Sequence, residues 1–135
     1  MSRYDERAVQ GLMAALSDIE PFSRVVIGTP LRQYQLRACR AILASIAQQA
    51  GHQFVVTMPR QSGKNETAAQ LEAFLLTTRQ LSGATIVKAA PTFKPQVVNS
   101  IQRLSDRLKN PLTAPLTEPE RGYIVRMGKA RLTFF

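Results

Sequence analysis

The chain is poor in residues that carry metal and redox chemistry: among 135 residues there is one cysteine, Cys39, and one histidine, His52. A lone cysteine forms no internal disulfide, and the pair makes no zinc-ligand cluster. Long apolar runs are missing too. None approaches the roughly 20 residues that cross a bilayer. The charged start Met1-Ser2-Arg3-Tyr4-Asp5-Glu6-Arg7 leads into no signal-type apolar stretch. These absences argue against secretion and membrane insertion and favour a reduced, cytoplasmic protein. Acidic residues are also scarce, nine against eighteen lysines and arginines, giving a formal net charge of +9. The imbalance is uneven: residues 1–30 hold three basic and four acidic side chains, residues 31–135 fifteen and five. Arginine supplies most of the excess, and its planar fork suits phosphate. Such a footprint fits a nucleic-acid partner, or a fragment whose acidic complement lies elsewhere in a longer chain.

What remains is the composition of a globular protein, 44% apolar and 20% charged, in a length suited to one domain. Residues 5–20 read as an amphipathic helix on Val9, Leu12, Met13, Leu16 and Ile19, stopped by Pro21. After Gly28-Thr29-Pro30 a second helix carries Leu36, Cys39, Ile42, Leu43 and Ile46 on one face and ends at Gly51. Residues 53–58, Gln-Phe-Val-Val-Thr-Met, have the make-up of a buried parallel strand. A helix from about Lys64 to Gln80 follows, with Ala68, Leu71, Phe74 and Leu75 as its stripe. A second strand spans 84–90, and another helix runs from about Lys94 to Lys109 on Val97, Val98, Ile101, Leu104 and Leu108. Pro111, Pro115 and Pro119 mark 110–121 as exposed loop, and 123–135 reads as a hairpin turning at Met127-Gly128. Strand, helix, strand, helix predicts an α/β fold with parallel strands and crossover helices, entered through N-terminal helices and closed by a C-terminal hairpin. Residues 1–30 form the helical lead-in and 31–135 the domain proper.

The chemistry centres on Met58-Pro59-Arg60-Gln61-Ser62-Gly63-Lys64-Asn65, between a strand pattern and a helix. Backbone N–H groups at a helix N-terminus point at phosphates, and the helix dipole favours their charge. Gly63 lets the backbone approach closely, and Lys64 reaches the β- and γ-oxygens. The general phosphate-loop pattern asks for glycine six residues before the lysine, where Met58 stands, and for serine or threonine after it, where Asn65 stands. An amide oxygen is a less common magnesium ligand than a hydroxyl in such loops. The same residues also fit an ordinary strand-to-helix turn with an exposed lysine.

Three segments in order, Leu31-Arg32-Gln33-Tyr34-Gln35, Pro59-Arg60-Gln61-Ser62-Gly63-Lys64-Asn65 and Ala90-Pro91-Thr92-Phe93-Lys94-Pro95-Gln96, resemble the ATPase domain of phage terminase large subunits. Those proteins are the motors that package DNA into capsids. The resemblance covers residues from about 31 to 108. It implies a partial P-loop NTPase fold, helicase- or terminase-like, with ATP and Mg2+ as cofactors. Under it Gln35 corresponds to the glutamine that reads the adenine edge, with Tyr34 beside the base. Pro59, Arg60, Gln61, Ser62, Gly63, Lys64 and Asn65 form the nucleotide cradle. Arg60 matches an arginine finger on the γ-phosphate, Lys64 holds the phosphates and Asn65 takes the magnesium position. The segment at Thr92 couples the site to DNA. Implied partners are double-stranded DNA, a portal, a small terminase subunit and further copies in a ring, in the cytoplasm of a bacterial host.

Hydrolysis in that family needs an aspartate ending an apolar strand and a following glutamate that activates water. No apolar run here ends in Asp-Glu, and Asp106, Glu118 and Glu120 lie in helix or loop patterns. The family's nuclease domain is likewise missing. The expectation is the ATP-binding portion of a packaging motor, truncated or split before its acidic strand and deficient in hydrolysis alone. A superfamily 2 helicase fragment shares the glutamine motif, the loop and the Pro-Thr segment. A basic DNA-binding remnant without catalysis fits the charge.

Overall fold

A computed structural model describes residues 3–135, with side chains from Glu6 onward. Met1 and Ser2, the first of the expected lead-in, lie outside the described residues. The lead-in helix α1 spans Arg3–Ser17 and ends where Asp18 turns to extended backbone. A short helix α2, Ile19–Pro21, runs directly into a wide π-helical turn, Phe22–Ile27, which Gly28 stops at φ +80°. This double turn replaces the continuous helix expected through residue 20, because it aims Ile19 and Phe22 inward, where both are fully buried. The Phe22 ring meets Phe74 edge-on, with centroids 5.3 Å apart. Most of the apolar stripe read on α1 stays outside: Val9, Leu12 and Met13 are exposed, while Ala15 is buried and Leu16 only partly so.

Helix α3, Gln33–Ala47, buries Leu36 and Cys39 in its first half. Its later positions Ile42 and Leu43 are half-buried and Ile46 is exposed. Helix α4, Lys64–Thr78, is central and is covered on much of its circumference. Phe74 is buried as its stripe predicts, whereas Ala68, Leu71 and Leu75 are only half-buried and Ala69, Gln70, Ala73 and Leu76 lie deepest. Helix α5, Val98–Leu108, follows a wide turn at Phe93–Val97, and Val97, Leu104 and Leu108 anchor it in the core.

Four strands make one mixed sheet in the order β1-β4-β3-β2: β1 Ala84–Lys88, β2 Thr117–Glu120, β3 Ile124–Met127 and β4 Ala130–Phe134. The expected hairpin is present as the antiparallel pair β3–β4, with Met127 opposite Ala130. Gly128 stands at its turn at φ +58°, and a Cβ there would lie 2.8 Å from the Gln80 carbonyl oxygen, so the turn admits no larger residue without a shift. Among the described residues the only parallel pairing is β1 with β4. The fold is therefore α/β, with a sheet that is largely antiparallel rather than parallel throughout. Among the described residues, no helix is long and apolar enough to cross a membrane.

Two expected assignments are corrected. Residues 53–58 form no strand: among the described residues none of the four strands pairs with them, and Val55 is 95% exposed. Apolar composition confers strand character only when a neighbour takes up the backbone N–H and C=O groups. Conversely, part of the expected proline loop 110–121 is strand β2, antiparallel to β3. Pro119 is tolerated because β2 lies at the sheet edge, where a missing N–H costs no ladder bond. Arg121 and Gly122, at φ +51° and +75°, make the tight turn from β2 to β3.

Candidate functional site

The loop ahead of α4 is shaped by its own backbone and by α3. Ser62 closes a turn onto the Pro59 carbonyl through its N–H at 3.3 Å and its hydroxyl at 2.5 Å. Gln61 and Gly63 both take positive φ, +59° and +86°. Helix α3 then draws the next two carbonyls toward itself. The Tyr34 hydroxyl donates to the Ser62 carbonyl, and Gln35 Nε2 donates to the Gly63 carbonyl at 3.0 Å. The same Gly63 oxygen accepts from the Thr67 N–H at 2.9 Å and the Thr67 hydroxyl at 2.7 Å. Gly63 is required on two counts, its left-handed backbone and a close approach: a Cβ would fall 2.4 Å from Gln35 Nε2.

With these carbonyls committed, the first turn of α4 presents its donors. Among the described residues no side chain caps the helix. The N–H groups of Lys64, Asn65 and Glu66 have no intrahelical acceptor by the geometry of a helix start, and none records an acceptor among the described residues. They border a cavity of about 340 Å³ whose wall is the loop, Lys64, Asn65, Glu66 and, from α5, Arg103. Lys64 and Asn65 are exposed, as is Arg60 on the loop. Among the described residues neither Arg60 nor Lys64 takes part in an ion pair.

Pro59, Arg60, Gln61, Gly63, Lys64 and Asn65 thus come together around one cavity, with Ser62 in the turn behind it. Tyr34 and Gln35 stand beside the loop and outside the cavity wall. The Gln35 side chain is committed at both ends, since its Oε1 accepts the Arg32 N–H at 2.8 Å while its Nε2 holds Gly63. In this structure it braces the loop, and Gln35 is 5% exposed. Residues 91–96 are exposed and lie outside the cavity wall.

Two cavity residues escape a reading of the sequence. Glu66, two positions after Lys64, is fixed rather than free: Arg107 Nε lies 2.9 and 3.0 Å from its two oxygens, and Gln70 Nε2 donates to Oε1 at 2.9 Å. Gln70 and Ser23, both essentially buried, carry the network on to the 28–31 loop. Ser23 Oγ donates to Gln70 Oε1 at 2.5 Å and accepts the Leu31 N–H at 2.9 Å, while Gln70 also donates to the Thr29 carbonyl. Arg103, the second, reaches the cavity through the packing of α5 on α4. No local pattern signals that contact, because it joins distant parts of the chain.

The donors present fit a chain of phosphates: backbone N–H groups, a lysine and two arginines around a concave wall. For magnesium the wall offers the Asn65 amide oxygen, since the one carboxylate, Glu66, is already taken. Among the described residues no group of three or more His, Cys, Asp or Glu side chains is placed to hold a metal. Such an ion would draw most of its ligands from phosphate oxygens and water, as magnesium commonly does in nucleotide sites. No protein-family model matches the chain, and neither a curated protein nor a solved structure is significantly similar to it.

Proposed function

We propose that the loop 59–65 binds the phosphates of Mg-ATP and that the chain is the ATP-binding portion of a terminase-like DNA-packaging ATPase. One observation carries the reading: the α3 side chains Tyr34 and Gln35 hold the loop carbonyls back, leaving unpaired N–H groups at the start of α4 over a basic cavity. Lys64 supplies charge to the phosphates, and Arg60 is placed to stabilise charge developing on a transferred phosphoryl group. Asn65 would contribute a magnesium ligand. Bound magnesium, in this reading, neutralises phosphate charge. Gln35 positions the loop, and the exposed Tyr34 ring is available to the base.

Hydrolysis by this chain alone is expected to be negligible. A water-activating group needs a free acceptor near the phosphates, and the Glu66 oxygens are held by Arg107 and Gln70. Calorimetric titration of Mg-ATP into the folded protein and into Lys64→Ala tests the reading. Binding in the wild type that is lost in the variant supports it. Equal heats in the two proteins, or none in a folded wild type, would discard the loop as a nucleotide site.

A further inference from the structure

Two arginines of α5, one helical turn apart, turn toward the same carboxylate, and they are not equivalent. Arg107 bridges both oxygens of Glu66 and also donates to Thr29 Oγ1 at 3.1 Å, with 27% of its side chain exposed. Arg103 makes a single approach, Nη1 to Glu66 Oε2 at 3.6 Å, beyond hydrogen-bond length, with 45% of its side chain exposed. Glu66 is already satisfied by Arg107 and Gln70, so it gains little from Arg103. What distinguishes Arg103 is its position in the wall of the cavity beside Lys64. Arg107 offsets the charge of Glu66, which leaves Arg60, Lys64 and Arg103 as three uncompensated cations around one concavity. Like charges gathered in this way repel one another until an anion joins them.

We infer that Arg103 is a further phosphate-binding residue, reaching from α5 to the phosphate chain of the nucleotide and leaving its loose contact with Glu66 as it does so. The inference rests on the phosphate-loop reading above and adds a second structural element to that site. Arg107 and Gln70 keep Glu66 back, so its carboxylate does not follow Arg103 toward the phosphates. A guanidinium can grip two phosphate oxygens at once, a geometry that the ammonium group of Lys64 cannot supply. Phosphate occupancy would thereby be felt by α5, which has no contact with the loop through sequence.

The test is calorimetric titration of Mg-ATP and of inorganic tripolyphosphate, at one ionic strength, into wild type, Lys64→Ala and Arg103→Gln. The Arg103 side chain records no hydrogen bond among the described residues and is half exposed, so Arg103→Gln should keep the wild-type melting temperature. The expected result is a loss of about tenfold or more in affinity for both ligands in Arg103→Gln, the size of one charge-assisted contact. A loss for Mg-ATP alone would mean that Arg103 touches the nucleoside and would overturn the assignment. Unchanged affinity in Arg103→Gln, with binding abolished in Lys64→Ala, would overturn the Arg103 inference and leave the loop reading standing. Absence of binding in the wild type would overturn both.

Discussion

Glu72, on the face of α4 that meets the sheet, is a carboxylate under electrostatic stress. Its side chain is 9% exposed and pairs with Lys88 of β1 at 2.6 Å, while Oε2 is buried with no hydrogen-bond partner among the described residues. Burial pushes its carboxyl above the ordinary glutamate range, and the Lys88 charge and hydrogen bond only partly oppose that. A folded-state value raised above the unfolded one favours the protonated acid in the fold. The stability contributed by this group is present below the ordinary glutamate value and is lost as pH rises through the raised one. Removing the lysine removes the one compensating charge recorded among the described residues. Lys88→Met should therefore destabilise the protein by about 2–3 kcal/mol near pH 7, somewhat below the usual cost of breaking a fully buried pair. The loss should shrink as the pH is lowered toward 5, where Glu72 takes up a proton more readily. Glu72→Gln combined with Lys88→Met should recover most of the stability, since a neutral amide costs far less to bury than an unpaired carboxylate. Urea unfolding of the wild type and the two variants across this pH range checks the signs, and a pH-independent loss in Lys88→Met would rule out Glu72 as its cause.

At the scale of elements, α3 is the part of the fold that shapes the loop, through two side chains in its first turn. Replacing Gln35 by alanine removes two part-buried hydrogen bonds, the donor to the Gly63 carbonyl and the acceptor for Arg32 N–H, while the Gly63 carbonyl keeps its bonds from Thr67. Gln35→Ala should cost about 1–3 kcal/mol, raise amide exchange across 59–65 and weaken Mg-ATP, whereas Tyr34→Phe, at an exposed bond, should act in the same direction more mildly. Unaltered loop exchange in Gln35→Ala would show that the loop holds its shape without α3. The sequence made the helices, the hairpin and the loop residues legible because each is local: an apolar period, a turn glycine, a Gly-Lys at a helix start. It misassigned what depends on neighbours. Residues 53–58 have strand composition without a partner strand, and β2 has proline-rich loop composition but finds an edge beside β3. The turn at Phe22–Ile27 and the network from Ser23 through Gln70 to Glu66 and Arg107 were illegible for the same reason, because their stability comes from contacts between segments far apart in the chain. Gln35 was picked out by pattern, but its bracing contact with Gly63 is visible only in three dimensions.

For the molecule as a whole, the net charge of +9 is the property with the longest reach. Much of its acid complement is already engaged: Glu66 with Arg107, Glu72 with Lys88, Asp18 with Arg40 and Glu120 with Arg126. Arg32, Arg37, Arg79 and Arg131 are among the basic residues that record no ion pair among the described residues, and they are available to an external polyanion. If duplex DNA is that polyanion, binding must release counterions, and the logarithm of affinity falls with the logarithm of salt by about 0.9 per phosphate neutralised. Four such contacts predict a loss of about a hundredfold between 50 and 200 mM salt, measurable by fluorescence anisotropy with a labelled duplex. Lys64→Ala separates the two kinds of phosphate recognition in the same assay. A loop dedicated to nucleotide leaves the salt slope unchanged when Lys64 is removed, because the other cations carry the DNA. A slope that falls by about one unit would put Lys64 among the DNA contacts and make the cavity part of the DNA surface. An affinity indifferent to salt in the wild type would mean that the excess charge has no nucleic-acid partner.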